Sequence, residues 1–118
     1  MHQTTNSGLI IAQTAYQIAD EKNALQPIIL NVSELTSLCS FIIIMSCKVK
    51  SQVRSLAKLI ETELSKQNFT VLNREGLSNS QWALLDYGEV LINIMYQPDR
   101  DHYQLEEIWR KASKVEFN

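Results

Sequence analysis

The residues of this chain best suited to chemistry are acidic side chains near its C-terminal end. Asp86 and Glu89 flank Gly88 in a predicted turn, and a carboxylate pair of this kind is chemically able to transfer protons or to hold a metal ion. No histidine, lysine or cysteine accompanies the pair in the sequence, so we interpret both carboxylates as solvated turn residues. Asp99 and Asp101 stand at a predicted helix start, where the helix dipole favours acidic side chains without any further role.

Other signals of catalysis, or of metal and cofactor binding, are absent. The chain has only three glycines and two histidines, His2 and His102. It contains no phosphate-binding glycine loop, no zinc-ligand spacing and no serine-histidine-aspartate order. We therefore predict no catalytic residue, no metal site and no cofactor, and we expect that the protein is not an enzyme.

The two cysteines, Cys39 and Cys47, lie inside or beside the most apolar run of the chain. Without a second pair or a histidine cluster, we interpret them as free buried thiols of a reducing compartment. The apolar run at residues 41–45 is too short to span a bilayer, and residues 1–12 lack the features of a signal peptide. We expect a cytoplasmic protein with no membrane partner, or an organellar one if a transit peptide has been removed.

Length and charge limit the classes of partner. The 118 residues are enough for one domain, which would bury roughly two-thirds of the surface that its unfolded chain exposes. The 11 Lys and Arg against 13 Asp and Glu give a formal net charge of -2. This is not the basic field of a protein that binds nucleic-acid phosphates, so we expect a basic protein as the main partner rather than a nucleic acid.

The spacing of apolar residues predicts alternating helices and strands. Helical spacing extends over residues 7–22, with Asn6 or Ser7 as the cap, and over residues 48–67. Short apolar runs predict strands at residues 28–32, 41–46, 69–72, 82–85 and 90–95. A last helix is expected at residues 99–111, capped by Asp99.

The resulting order is α-β-β-α-β-β-β-α. It predicts a single α/β or α+β domain over residues 1–118, with a mixed central sheet of about five strands flanked by helices. The strand at residues 41–46 is apolar on both faces and is expected at the centre of the sheet. The order of the strands within the sheet stays open, and residues 113–118 are expected to fray.

The last third of the chain holds spaced residues that together form a specific pattern. They are Glu75-Gly76, Trp82, Leu85-Asp86-Tyr87-Gly88-Glu89-Val90, Arg100, Tyr103, Leu105-Glu106 and Trp109. In order and spacing they resemble the ribosomal silencing factor family, also called the Iojap-like family. The resemblance weakens upstream, and the chain departs from the family pattern at Asn31, Ser40, Cys47, residues 49–51 and Asn93, as a divergent member would.

The resemblance implies a fold like that of nucleotidyltransferases, without their catalytic machinery. It also implies binding to the large ribosomal subunit through the subunit's fourteenth protein, which would sterically prevent the small subunit from joining and so repress translation. A role in large-subunit maturation is attributed to the family as well. On this chain the implied partner-binding surface comprises the hairpin at residues 82–95 and the helix at residues 100–109. The expected contact residues are Trp82, Asp86, Glu89, Leu91, Met95, Arg100, Tyr103 and Glu106.

The environment of Trp82 depends on the register of the predicted hairpin. A two-residue turn at Tyr87-Gly88 would pair Trp82 with Asn93, beside a polar group that suits an interface. A three-residue loop with Gly88 in the left-handed region would pair Trp82 with Ile92 and make it a core residue. We favour the second register, because the first strains Tyr87 at positive φ.

The last predicted helix has two different faces. Leu105, Ile108, Trp109 and Ala112 recur at i, i+3, i+4 and i+7, which predicts a buried stripe with Trp109 in the core. Tyr103, Glu106 and Arg110 lie on another face, where Glu106 and Arg110 are spaced for an ion pair. The resemblance implies a role for Tyr103 and Glu106, which is either contact with a partner or docking of the helix on the sheet.

Two other functions stay open. A nucleotidyltransferase-fold enzyme acting on nucleotides would need a Gly-Ser turn followed by acidic residues alternating on a strand to hold Mg²⁺, and the only such pair, Asp99 and Asp101, stands at a predicted helix start. A dimeric adaptor without a ribosome link would bury its hairpin in a homodimer.

Overall fold

The computed structural model describes residues 2–76 and 81–116, with side chains from residue 7 onward. The elements in chain order are α1 (His2–Glu21), β1 (Leu25–Asn31), β2 (Phe41–Cys47), α2 (Lys50–Lys66), β3 (Asn73–Glu75), β4 (Trp82–Asp86), β5 (Val90–Tyr96), α3 (Gln97–Tyr103), α4 (Leu105–Ile108) and β6 (Ser113–Lys114). The predicted α+β architecture around a mixed central sheet is confirmed. The described part of the chain contributes six strands to that sheet rather than about five.

The strands lie in the order β3-β4-β5-β2-β1-β6. β2 and β5 are parallel, with Ile43 opposite Ile92, and the other neighbours are antiparallel. All seven residues of β2 are buried, which confirms its predicted central position. A strand that is apolar on both faces is stable only where elements cover both sides of it.

The face of the sheet covered by α1 and α2 carries the larger hydrophobic cluster. Ile43, Met45, Ile92 and Ile94 point to this face and pack with both helices. The helix α2 contributes Val53, Leu56, Ala57, Ile60 and Leu64, which recur at helical spacing and are all buried. Each fully buried Leu or Ile contributes about 1.5–3 kcal/mol relative to an exposed side chain, so this layer supplies much of the stability.

The opposite face of the sheet carries a smaller group of buried residues, the second cluster. Its members are Leu30, Val32, Cys39, Ile42, Ile44 and Met95. Leu105, Trp109 and Ala112, from α4 and the chain after it, pack on this cluster, as do Trp82 and Leu91 from the hairpin. These flanking side chains are only half-buried, so the second face is incompletely covered.

The prediction of a single last helix at residues 99–111 is wrong. The helix α3 begins at Gln97, after an N-cap at Tyr96, and Gln104 in the left-handed region (φ 50°) separates it from α4. Pro98 in the first turn of α3 explains the earlier start, because its fixed φ suits the first helical positions. Asp99 is therefore a first-turn residue and not the cap.

The strand predicted at residues 69–72 is also misplaced, since β3 covers Asn73–Glu75. Phe69 and Val71 are partly buried against the larger cluster, so their apolar pattern reflects packing after α2 rather than strand pairing. At the N-terminal end, α1 begins at His2, ahead of the caps expected at Asn6 or Ser7.

The end of the chain is more ordered than expected through residue 115. Ser113–Lys114 forms β6 against β1, and the Val115 amide donates to the Ile29 carbonyl over 2.9 Å. These residues are therefore hydrogen-bonded to the edge of the sheet. Residues 117–118, also within the range expected to fray, lie outside the described residues.

Neither predicted register of the β4–β5 hairpin is correct. Trp82 pairs with Met95 and Leu84 with Asn93. The Tyr87 amide donates to the Val90 carbonyl over 2.9 Å, so Tyr87 still belongs to the ladder and the turn falls at Gly88 and Glu89. Gly88 has φ 85°, a conformation that costs glycine little, and Tyr87 escapes the strain that the first register implied.

Candidate functional site

Alternate residues of β4 and β5 form an open area on the second face of the sheet. Trp82, Leu84 and Asp86 on β4 face Met95, Asn93 and Leu91 on β5. The segment containing α4 covers the β1 side of this face, because Trp109 and Ala112 line a groove with Ile28 and Leu30. The same segment leaves the β4 side of this face uncovered. We call the area formed by Trp82, Leu84, Asp86, Leu91 and Tyr103 the open sheet surface.

An aromatic and polar cluster stands at one end of the open sheet surface. The Trp82 indole N–H donates to Asn93 Oδ1 over 2.9 Å, and Asn93 Nδ2 donates to the Ile43 carbonyl over 3.3 Å. The ring of Tyr103 lies 5.2 Å from that of Trp82 and 4.9 Å from that of His102, measured between centroids. Trp82 is half-buried, with its polar edge satisfied and part of its ring accessible, as is typical of aromatic residues at interfaces.

The open sheet surface has an acidic border. Asp86 Oδ1 accepts a hydrogen bond from the Gly88 amide over 2.8 Å, so this carboxylate also stabilises the turn. On the neighbouring β3, Glu75 stands opposite Leu84, and its Oε2 accepts from Asn73 Nδ2 over 3.0 Å. Among the residues of β3, β4 and β5 the only cation is Arg74.

Arg74 does not neutralise that border. It points to the helix-covered side, where its Nε donates to Glu61 Oε1 over 2.8 Å. This ion pair raises the pKa of Arg74 and lowers the pKa of Glu61, chiefly through the hydrogen bond between them. The strand residues on the open side therefore present apolar and acidic groups without a compensating positive charge.

Not every predicted contact residue belongs to this surface. Trp82, Asp86, Leu91 and Tyr103 come together on it, and Tyr103 is 53% exposed. Met95 faces the same side but is fully buried within the second cluster.

Glu89 lies apart from the surface residues. The Glu89 carboxylate is directed toward the helix-covered side of the sheet, where it lies beside Gly8 of α1. A Cβ atom added to Gly8 would be 3.2 Å from Glu89 Oε1. Leu84 was missed as a contact candidate. The alternation along β4 would have identified it, given the correct register.

Arg100 is a buried residue and not a surface contact, since its side chain is only 4% exposed. Its Nε and Nη2 atoms donate to Glu106 Oε2 over 2.9 Å and 2.8 Å. Its Nη1 atom donates to the Leu25 carbonyl over 3.0 Å and to Ser46 Oγ over 3.1 Å. A buried guanidinium requires such partners, because an unpaired charge in this position would be strongly destabilising.

The last helical segment differs from its predicted faces. Glu106 pairs with Arg100 and not with Arg110. Trp109 packs on the second cluster from a half-buried position, whereas Ile108 is 67% exposed and lies outside the predicted buried stripe. Both differences follow from the short length of α4, which ends at Ile108, so the residues from Trp109 onward do not continue the helix that carries Leu105 and Glu106.

The remaining candidate groups show structural roles. Asp99 accepts a hydrogen bond from Gln81 Nε2 over 3.3 Å, and Asp101 accepts one from Gln97 Nε2 over 2.8 Å. Within residues 2–76 and 81–116, no group of three or more His, Cys, Asp and Glu side chains is placed to hold a metal ion. In the same ranges no helix is both long and apolar enough to cross a membrane.

The thiols of Cys39 and Cys47 are free and buried, as predicted. Burial raises the pKa of the Cys47 thiol to about 11. Burial also raises the pKa of Cys39, with a smaller contribution from the charge of Asp86. A thiol that remains protonated is a poor nucleophile, so the environment of neither cysteine favours reactivity.

Comparisons with known proteins agree on one family. The model of the family described as "Ribosomal silencing factor during starvation" matches residues 5–118. A Halalkalibacterium halodurans protein named ribosomal silencing factor RsfS is 27% identical over 107 residues, which is 91% of this chain and 92% of the relative. The chloroplastic protein Iojap of Arabidopsis thaliana is 28% identical over 109 residues, covering 92% of this chain and 45% of that protein.

A solved structure shares the fold. The crystal structure of a Chromobacterium violaceum protein superimposes with a TM-score of 0.84 at 27% sequence identity, covering 93% of this chain and 91% of that protein. The agreement extends over nearly the whole of both chains, so the architecture described above is that of the matched protein as well.

Proposed function

Because the chain belongs to the ribosomal silencing factor family, we propose that it binds the large ribosomal subunit and prevents the small subunit from joining it. The mechanism is steric, and it needs a rigid surface with sufficient affinity rather than catalysis or a cofactor. The relatives are named as silencing factors, which are regulators and not enzymes. A contribution to large-subunit maturation is compatible with the same binding event.

The open sheet surface is the observation that carries this proposal. It combines accessible parts of Trp82, Leu91 and Tyr103 with the carboxylate of Asp86, and Glu75 adds a second carboxylate at its border. Aromatic and apolar anchors supply most of the binding energy at protein interfaces, whereas complementary charge accelerates association and selects the partner. Such a surface suits a basic ribosomal protein, and we propose the fourteenth protein of the large subunit as that partner, as the family resemblance implies.

The scaffold is suited to a steric blocker. The strands β4 and β5 are joined by a tight turn and packed on the helix layer through Ala83, Leu85, Ile92 and Ile94, all fully buried. Side chains on such a paired sheet lose little further freedom on binding, which reduces the entropic cost of association. We place the protein in the cytoplasm, or in an organelle that contains its own ribosomes, as the chloroplastic name of the Arabidopsis relative illustrates.

The decisive experiment is sedimentation of the purified protein with isolated large and small ribosomal subunits. We expect co-migration with the large subunit alone, and a smaller yield of assembled ribosomes when both subunits are present. Leu91 is half-buried and its side chain points out of the open sheet surface. The Leu91→Lys variant should therefore fold and yet lose most of this binding. Absence of large-subunit binding by the folded native protein would refute the proposal.

A homodimer formed through the same surface is the competing arrangement. It would bury the apolar side chains of the hairpin in a second copy of the chain. Sedimentation of the free protein over a range of concentrations separates the two cases, because a dimer that persists on dilution would leave no surface for the ribosome.

A further inference from the structure

The ion pair between Arg100 and Glu106 bridges the break between α3 and α4. Arg100 lies on α3, Glu106 lies on α4, and the left-handed residue Gln104 separates them. The Gln104 amide also donates to the Arg100 carbonyl over 3.0 Å. The pair therefore closes a short loop that contains Tyr103, the last residue of α3.

The two helices have little stability of their own. They contain seven and four residues, far fewer than an isolated helix needs in water. Neither has a side-chain hydrogen bond at its N-cap. Gln104 adds the cost of a left-handed conformation without being glycine. Their positions consequently depend on tertiary contacts.

Arg100 provides a large share of those contacts. Its guanidinium is hydrogen-bonded to the carbonyl of Leu25 on β1 and to the hydroxyl of Ser46 on β2, and Ser46 is also hydrogen-bonded to Gln97 at the start of α3. The remaining bonds go to Glu106. One buried side chain thus connects α3, α4 and two strands of the sheet.

We propose that Arg100 and Glu106 are positioning residues, which hold Tyr103 against Trp82 and so complete the open sheet surface without touching the partner. The burial of Arg100 excludes it from direct contact. Glu106 is 38% exposed, but its Oε2 atom already accepts hydrogen bonds from Arg100. The effect on a ribosomal partner rests on the proposed function, whereas the effect on Tyr103 is a property of the free protein.

The first test therefore uses the free protein. Glu106→Ala should shift the ring resonances of Tyr103 toward random-coil values and accelerate amide hydrogen exchange at residues 104–112 at least about tenfold, since local opening then needs no ion pair to break. Glu106→Gln, which keeps an acceptor for Arg100, should show a smaller shift. The matched control is Glu107→Ala, the removal of an exposed neighbouring carboxylate, which should change neither quantity.

The second test is a double-mutant cycle on large-subunit binding. If Glu106 acts through Tyr103, Glu106→Ala should weaken binding about tenfold in the native background and have no further effect when Tyr103→Ala is already present. Unchanged Tyr103 resonances in folded Glu106→Ala, or additive losses of affinity in the double mutant, would overturn the inference. If the native protein bound no ribosomal subunit, the proposed function would fail while the first test still decided the role of the pair.

Discussion

The indole of Trp82 donates to the side chain of Asn93, although Leu84 is the residue directly opposite Asn93 in the ladder. The bond is diagonal, and it explains how a tryptophan can lie half-buried on an open sheet without an unsatisfied N–H. Asn93 is itself buried and anchored to the Ile43 carbonyl on β2. The orientation of the main aromatic group on the proposed surface is thus set by one amide side chain.

Replacement of Asn93 should reveal this coupling. Asn93→Leu leaves the indole N–H without its acceptor, so we expect a loss of about 1–3 kcal/mol in the free energy of unfolding, measured with denaturant. In a Trp82→Phe background, which lacks the indole donor, the same replacement should lower the free energy of unfolding by clearly less. Equal costs in both backgrounds would show that the hydrogen bond contributes nothing.

Tyr87→Phe should be neutral or stabilising. The hydroxyl of Tyr87 is buried and has no hydrogen-bond partner among the described residues. Removing an unsatisfied buried hydroxyl relieves a desolvation cost, so we expect the free energy of unfolding to rise by up to about 1 kcal/mol. Tyr103→Phe, at an exposed hydroxyl, is the control and should have no measurable effect. A loss of stability in Tyr87→Phe would contradict this view of the hydroxyl.

Alkaline pH should destabilise the fold. Burial raises the pKa of Cys47 from 9.0 to about 11 and that of Tyr87 from 10.0 to about 12. The folded state then holds these protons more tightly than the unfolded state does, so the stability they provide is complete below pH 9. It declines as pH rises from about 9 through 12.

Denaturant midpoints between pH 8 and 11 measure this decline. The double variant Cys47→Ala, Tyr87→Phe lacks both groups and should show a flatter profile than the native protein. An identical slope in the two proteins would assign the alkaline destabilisation to other residues.

Charge reversal on the border of the open sheet surface should weaken ribosome binding. Glu75 is exposed, and Glu75→Lys places a cation where we expect a basic partner. We predict a loss of affinity of roughly three- to tenfold, and this loss should become smaller as the salt concentration increases. Glu21→Lys, at the end of α1 on the opposite side of the sheet, makes the same charge change and should leave binding intact.

Equal losses in these two variants would indicate a response to net charge and not to the surface. Asp86 and Glu106 are poorer choices for reversal, because Asp86 stabilises the turn at Gly88 and Glu106 neutralises Arg100. Replacing either would alter the fold locally, and a binding defect would then have two explanations.

The elements with strong local patterns could be predicted from the sequence. The apolar spacing of α2 and the doubly apolar run of β2 depend on residues a few positions apart, and a single period accounts for each. The spaced residues from Glu75 to Trp109 likewise identified the family, because chain order and spacing are properties of the sequence itself. The free, buried state of Cys39 and Cys47 followed from their apolar context.

Features that depend on distant partners required the tertiary structure. The observed hairpin pairs Leu85 with Ile92 in the helix-covered core, which the register with Trp82 opposite Ile92 could not do. It also gives the positive φ to Gly88 and not to Tyr87, which separates it from the register with Trp82 opposite Asn93. Arg100 of α3 likewise bonds to Leu25 and Ser46, which are more than fifty positions away in the chain. Local periodicity cannot register such contacts, since they exist only once the sheet has brought β1 and β2 beneath α3.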